Sequence, residues 1–404
     1  MLITEQYAPR VTAIADWLIQ QGLLRSNFGT ILEGYCERLV EIGVPLWRGY
    51  VSARTLHPTV RGTGCSWRAD EGIRSELYIY DRQQSGDFLT SPFRWMLEGG
   101  QNRMRLDLAR NEPVPYPVVE RLREQGATDY LAQIVGFGVD GERRGETGVL
   151  ASWTTRDPGG FAERDVAILE HMISRLGLAL QARLGYEITV NLLDTYVGPE
   201  AGRRILDGEI RRGMLEAIPA VIVYADLRGF TALADRTRHD ELVDMLNDYF
   251  DCLVPVIVER GGYVLKFLGD GLLATFTLAE RAPAEVCETA LDAAAEALAC
   301  VRDLNALRLA AGKPPMELDM ALHLGEVFWG NVGSSDRLDF TVIGPAVNEA
   351  SRIEALCAQH HRNLLVSQTF AQAATRSSAR LVSIGRYALR GVRSAQSLYT
   401  LDGL

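Results

Sequence analysis

The hydrophobic pattern changes its period near residue 218. Before it, apolar positions first recur at helical steps: Ile14, Trp17 and Leu18, then Ile31, Tyr35, Leu39 and Val40. Short alternating segments follow at Tyr50–Leu56, Glu76–Tyr80, Ala132–Phe137 and Thr147–Trp153, and these predict strands. Gly, Pro and Asp clusters, Arg61-Gly62-Thr63-Gly64 among them, are expected as the turns between them. Residues 1–163 thus read as one α+β domain. Residues 164–196 read as a long helix. Val166, Leu169, Ile173, Leu176 and Leu180 follow a heptad step that continues through Leu184, Ile188 and Leu192. The heptads are too few for a coiled coil alone, and a connector between two dimerising domains is expected, making 164–217 a helical linker.

From 218 to 404 strand and helix patterns alternate. Ala220–Ala225 is a continuous apolar strand. A helix is predicted over His239–Arg260, kinked at Pro255, and an Ala-rich helix over Ala284–Ala311. Glu317–Leu324 alternates as a strand. Between the helices, Gly261–Phe276 has the form of a β-hairpin whose turn is Gly269-Asp270-Gly271. The order β-α-β-β-α-β predicts a ferredoxin-like core. The fold class is mixed α/β, with an α+β unit in front.

Length and composition narrow this little further. At about 150 residues per domain, 404 residues accommodate two to three domains. A formal net charge of −10 argues against a duplex nucleic-acid surface but leaves room for a nucleotide. The six cysteines, Cys36, Cys65, Cys252, Cys287, Cys300 and Cys357, have no zinc spacing and are expected as reduced core residues. No signal peptide or membrane span is read, so a cytoplasmic protein without a membrane partner is expected.

The hairpin carries unusual cargo. Asp270 sits at its turn, and Lys266 interrupts an apolar strand. In the predicted topology the first and third strands are antiparallel neighbours. That places Asp226, at the end of the first, beside Asp270, at the start of the third. Two hard carboxylates at one sheet edge suit Mg²⁺ or Mn²⁺ shared with substrate phosphates, and two such ions can serve an in-line displacement at phosphorus. After Asp226 come Leu227-Arg228-Gly229-Phe230-Thr231, where Gly229 permits close backbone approach and Thr231 can cap a helix whose free N–H groups favour phosphate. A plain strand-to-helix loop would explain Asp226 alone. It would not explain the pairing.

Four segments together carry a resemblance: Ala225-Asp226-Leu227-Arg228-Gly229-Phe230-Thr231, Lys266-Phe267-Leu268-Gly269-Asp270-Gly271, Gly330-Asn331-Val332-Gly333, and Phe340 through Arg352. Over 218–404 the chain resembles the class III nucleotidyl cyclases. The resemblance implies that Asp226, Asp270 and the Leu227 backbone hold two Mg²⁺ or Mn²⁺ ions. It implies that Lys266 contacts adenine N1, with Thr341 as the second purine-reading position, and that Phe230 and Thr231 lie at the substrate. Asn348 would orient the ribose, and Arg352 would stabilise the transition-state phosphate. Asn348 and Arg352 are four apart and share one helix face. In this family the metal aspartates come from one subunit and the remaining contacts from the other, which implies a homodimer. Lys266 is accordingly expected to meet Thr341 across a subunit boundary.

Thr341 stands where many members carry Asp, and a threonine there resembles the subgroup that includes bicarbonate-responsive adenylyl cyclases. Pro345 stands where relatives are often acidic. Guanylyl members typically have Glu at the Lys266 position, and a lysine, with donors only, faces guanine N–H groups badly. Adenylyl cyclase, converting ATP to cyclic AMP and pyrophosphate, is therefore expected. A guanylyl cyclase and a non-catalytic signalling dimeriser are the alternatives. A diguanylate cyclase would need a Gly-Gly-Asp/Glu-Glu-Phe turn that Leu268-Gly269-Asp270-Gly271 does not supply. The 1–163 unit resembles a GAF-type sensory module in layout, for an unknown small-molecule or protein regulator. Trp47, Trp67, Trp95 and Trp153, with His57, are candidates to line a ligand pocket there.

Overall fold

The computed structural model describes residues 7–80, 86–110, 112–138, 148–392 and 394–402, with only the backbone of 86–87 described. The chain divides into two compact units, Met1–Thr195 and Tyr196–Leu404. Among the described residues, no helix is long and apolar enough to cross a membrane.

The first unit contains α1 (Ala8–Leu23), α2 (Phe28–Glu41), β1 (Arg48–Arg54), β2 (Val60–Arg68), β3 (Gly72–Ile79), α3 (Gly86–Leu89), α4 (Pro92–Glu98), β4 (Arg103–Asp107), α5 (Pro117–Glu124), β5 (Asp129–Gly136), β6 (Gly148–Thr155) and α6 (Glu163–Tyr196). Its six strands form one antiparallel sheet ordered β3-β2-β1-β6-β5-β4. Alternation sends Val51, Ala53, Val149, Ala151 and Trp153 to the face covered by α1, α2 and α6. The opposite face packs Tyr130 and Ala132 against Phe93, Met96, Val119 and Leu122.

Three expectations fail in this unit. The Arg61–Gly64 cluster is part of strand β2, not a turn. Glycine is used there for lack of space: a Cβ on Gly62 would meet the Ala53 carbonyl oxygen at 2.7 Å, and one on Gly64 the Tyr78 hydroxyl at 2.9 Å. The heptad positions Val166, Leu169, Ile173, Leu176 and Leu180 do not form a free seam, because all are buried in the core beneath the sheet. Nor do the tryptophans and His57 line one pocket. Trp67 and Trp153 lie in one core and Trp47 in the core on the other face, while Trp95 is exposed. The His57 ring accepts local N–H bonds from Thr59 and Val60.

The second unit contains α7 (Pro199–Leu206), β7 (Leu215–Leu227), α8 (Phe230–Ala234), α9 (His239–Glu259), β8 (Tyr263–Leu268), β9 (Gly271–Thr277), α10 (Pro283–Ala310), β10 (Leu318–Gly333), β11 (Leu338–Ile343), α11 (Pro345–Glu354), α12 (Cys357–His360), β12 (Leu364–Val366), α13 (Gln368–Ala373), a 3₁₀ turn at Thr375–Arg380, β13 (Leu381–Tyr387) and β14 (Gln396–Leu401). The sheet order is β13-β14-β12-β10-β7-β9-β8, with β11 paired to β10. The β7-α9-β8-β9-α10-β10 succession is the ferredoxin-like core. α9 passes through Pro255 as one helix. It packs with α10 on one face of the sheet, through Tyr249, Leu253 and Ile257 against Ala290, Ala294 and Ala297.

Two cysteines depart from the expected reduced state. Cys252 on α9 and Cys300 on α10 form a disulfide, their Cα atoms 5.5 Å apart. Close packing of small residues between the two helices brings the thiols together. The other four are free and buried.

Candidate active site

The site grows from the β7–β9 register. The two strands are antiparallel, with Ala225 opposite Leu272. Asp226, one residue further, therefore reaches the turn between β8 and β9. Gly269 adopts φ +71° in that turn, which lets the chain reverse tightly and present Asp270. Gly271 leaves the room: a Cβ there would stand 3.0 Å from Asp226 Oδ1. The Asp226 and Asp270 carboxyl groups lie within hydrogen-bonding reach of each other. Burial first, and the Asp270 charge second, push the Asp226 carboxyl up to about 6.

Two further acids surround this pair. Asp319 on β10 is directly opposite Asp226 in the β7–β10 register and is buried. Arg228 answers it, with Nε 2.9 Å from Asp319 Oδ2 and Nη2 bonded to Oδ1. The same guanidinium donates to Glu317 at 2.6 Å and to the Arg362 carbonyl at 3.2 Å. Glu354, on α11, is pushed up to about 7 by burial and then by Asp226, Asp319 and Asp270. Arg228 thus stands among five carboxylates of the described residues, Asp226, Asp270, Asp319, Glu317 and Glu354, an end with more negative than positive charge. Among the described residues no three metal-ligating side chains converge on one point. Two carboxylates, with water, backbone and substrate oxygens completing the shell, suit Mg²⁺ or Mn²⁺ rather than an all-protein cage. Leu227 is buried at the last β7–β10 pair, opposite Leu318.

Thr231 does not cap the following helix. Gly229, at φ +74°, is the N-cap of α8, which has no side-chain capping bond. Helix geometry already starts at Phe230, so Thr231 lies inside and is exposed, while Phe230 packs against the main core.

A second group forms around β8 and β11. A bulge at Leu265 shifts the β8–β9 register, so that Val264 faces Ala274 and Lys266 faces Leu273. Lys266 Nζ reaches Asp339 Oδ2 at 2.5 Å. Asp339 and Thr341 are two apart on β11 and so share a face, while Phe340 and Val342 enter the core. Thr341 is buried, and its Oγ1 has no hydrogen-bond partner among the described residues. The lysine thus meets the Thr341 strand within its own chain, not across a subunit boundary. The isolated hairpin sequence shows neither the bulge nor Asp339.

Asn348 and Arg352 sit one turn apart on α11. Asn348 is exposed, and the half-buried Arg352 guanidinium lies over Gly391, whose Cβ position is 3.6 Å from Nη1 and Nη2. No hydrogen bond or ion pair to a described residue holds either side chain, and none links them to Asp226 or Asp270. Pro345 is at the first turn of α11, where a missing N–H costs nothing.

The model for the adenylate and guanylate cyclase catalytic domain matches residues 216–403. These residues belong to that family. Among curated relatives, an adenylate cyclase of Anabaena cylindrica is 35% identical over 152 residues, 37% of this chain and 29% of that protein. Adenylate cyclase 1 of Rhizobium meliloti is 28% identical over 185 residues, 45% of this chain and 27% of that protein. The chain spans less than a third of the length of these relatives. Among solved structures, the guanylyl cyclase Cya2 is 29% identical, with a TM-score of 0.41, covering 47% of this chain and 94% of that one. The cyclase domain accordingly includes β7 through β14 and both side-chain groups described above.

Proposed function

We propose that the protein is an adenylyl cyclase, converting ATP to 3′,5′-cyclic AMP and pyrophosphate as a homodimer. The observation that carries this reading is the meeting of Asp226 with Asp270 inside a cyclase-family domain. Divalent cations held by Asp226, Asp270 and the Leu227 backbone would supply charge to the triphosphate and acidify the 3′-hydroxyl. The 3′-oxygen forms a bond to the α-phosphorus, its proton passing to solvent, as the bond to the β-phosphate oxygen breaks and pyrophosphate leaves. Arg352 offers a planar fork of donors to the phosphate oxygens as their charge rises. Asn348 orients the ribose, and Phe230 and Thr231 flank the substrate at the loop after β7.

Adenine is favoured because Lys266 donates to N1, an acceptor in adenine and an N–H in guanine. The buried Thr341 hydroxyl, without a partner among the described residues, fits a contact with the exocyclic amine. Asn348 and Arg352, whose side chains make no hydrogen bond or ion pair among the described residues, support the shared site: each would serve metal aspartates of a second copy. In this reading α6 couples the first unit, a GAF-like regulatory module, to closure of that site.

The test is product formation by the purified full-length chain with ATP or GTP and Mg²⁺ or Mn²⁺. Cyclic AMP as the main product supports the reading. Cyclic GMP as the main product transfers it to guanylyl cyclase, and no product from either overturns it.

A further inference from the structure

Resting on that reading, we infer that Asp339 is a specificity-determining residue of the purine site: it holds the Lys266 ammonium and presents a carboxylate oxygen beside it to the adenine edge. Three observations lead there. Lys266 and Asp339 come from strands far apart in sequence and meet at 2.5 Å. The bulge at Leu265 alters the pairing of β8 immediately before Lys266, and bulges re-aim side chains. Asp339 shares its face of β11 with Thr341, whose buried hydroxyl has no partner among the described residues.

The chemistry follows from the inventory of donors and acceptors. Adenine presents an acceptor at N1 beside a donor amine at N6. Guanine presents the reverse, an N1–H beside the O6 acceptor. A lysine paired to a carboxylate offers a donor and an acceptor side by side, the complement of adenine. The second Asp339 oxygen and the Thr341 hydroxyl can both accept from N6. Against guanine, the same carboxylate faces O6, and the two acceptors repel. Thr341 alone, with a hydroxyl that can also donate, discriminates less. Asp339 thus supplies at a neighbouring strand position the fixed acceptor that threonine lacks.

An ordinary exposed ion pair would contribute little and would leave base selection untouched. Nucleotide preference therefore separates the two roles. In the purified full-length protein, Asp339→Asn should lower kcat/KM for ATP by about tenfold, the lower end of what supporting polar partners contribute. It should raise relative use of GTP, because an amide can donate to O6. Asp339→Glu should recover part of the ATP preference. In a Lys266→Ala background, Asp339→Asn should cost less than it does alone, because the two act as one unit.

Wild-type protein without product from either nucleotide overturns the functional reading and this inference with it. Active wild-type protein whose Asp339→Asn variant keeps the same ATP-to-GTP ratio overturns the inference alone. So does a gain of ATP activity in that variant, which would mean that the carboxylate withholds the lysine.

Discussion

Arg228 closes two hydrogen bonds on Asp319, the residue directly across the sheet from Asp226. The loop that follows the candidate metal aspartate is thereby tied to the neighbouring strand, and its backbone N–H also bonds the Glu317 carbonyl at 2.8 Å. Asp319 is buried, so removing Arg228 leaves a carboxylate with no cation beside three others. Arg228→Ala should therefore destabilise the cyclase domain by about 3 kcal/mol, the lower end for orphaning a buried charge. Asp319→Asn in the same variant should return part of the loss, because the orphaned charge is gone. Denaturant unfolding of wild type, Arg228→Ala, Asp319→Asn and the double variant, compared as a cycle, reads this directly. An Arg228→Ala protein as stable as wild type would contradict it.

The Cys252–Cys300 disulfide predicts a thiol count. Under denaturing, non-reducing conditions an alkylating reagent should modify the four free cysteines and no others, and all six after reduction. The bridge closes a loop of 48 residues, for which chain entropy gives a stabilisation of about 4 kcal/mol. Reduction, or Cys300→Ser, should lower the unfolding midpoint accordingly. Six labelled thiols without reductant would show the pair to be open.

Glu354 should make the stability of the metal-free cyclase domain pH-dependent. It faces Asp226 from β7, Asp319 from β10 and Asp270 from the hairpin turn, with Arg228 the opposing cation. Its carboxyl is raised from 4.5 to about 7, so the folded chain binds this proton more tightly than the unfolded chain does. Where the folded state holds more protons, stability falls as pH rises. The contribution of Glu354 is thus fully present below about pH 4.5 and lost as pH climbs to about 7. Glu354→Gln should flatten the profile across that window. Denaturation midpoints in chelator from pH 4.5 to 8 test it, and parallel profiles for wild type and variant would refute it.

Much of the cyclase domain was legible because its evidence is periodic or topological. Two apolar helices, a Gly-Asp-Gly turn and strands in the order β-α-β-β-α-β suffice to place Asp226 beside Asp270. The missed features depend on third dimensions that no local pattern carries. The Leu265 bulge shifts one register, and Asp339 becomes visible only when β11 meets β8. Gly62 and Gly64 read as turn residues but serve a strand that approaches Ala53 and Tyr78 closely. The α6 repeat reads as a connector because a helix face against a sheet uses the same spacing as one against another helix. Thr231 is one helical position too late to cap α8, a distinction finer than sequence boundaries allow. Asp319 and Glu354 carried no signal, since an isolated acid in a strand or helix reads as a solvated side chain.

Subunit mixing tests the shared site most sharply. Asp226→Ala removes a candidate metal ligand, and Arg352→Ala removes the candidate phosphate donor. Each variant alone should lose more than about a hundredfold of the wild-type rate, because even supporting residues around metals contribute ten- to a hundredfold. In a two-fold dimer built as proposed, every site takes its aspartates from one copy and its arginine from the other. A mixed dimer then has one site with both defects and one with neither. Random exchange makes half the dimers mixed, so equal mixing should restore about a quarter of wild-type activity. If each chain instead formed its own complete site, every site in the mixture would carry a defect, and no activity would return. Sedimentation of the mixed sample must show dimers, so that an absence of recovery counts against the shared arrangement and not against association.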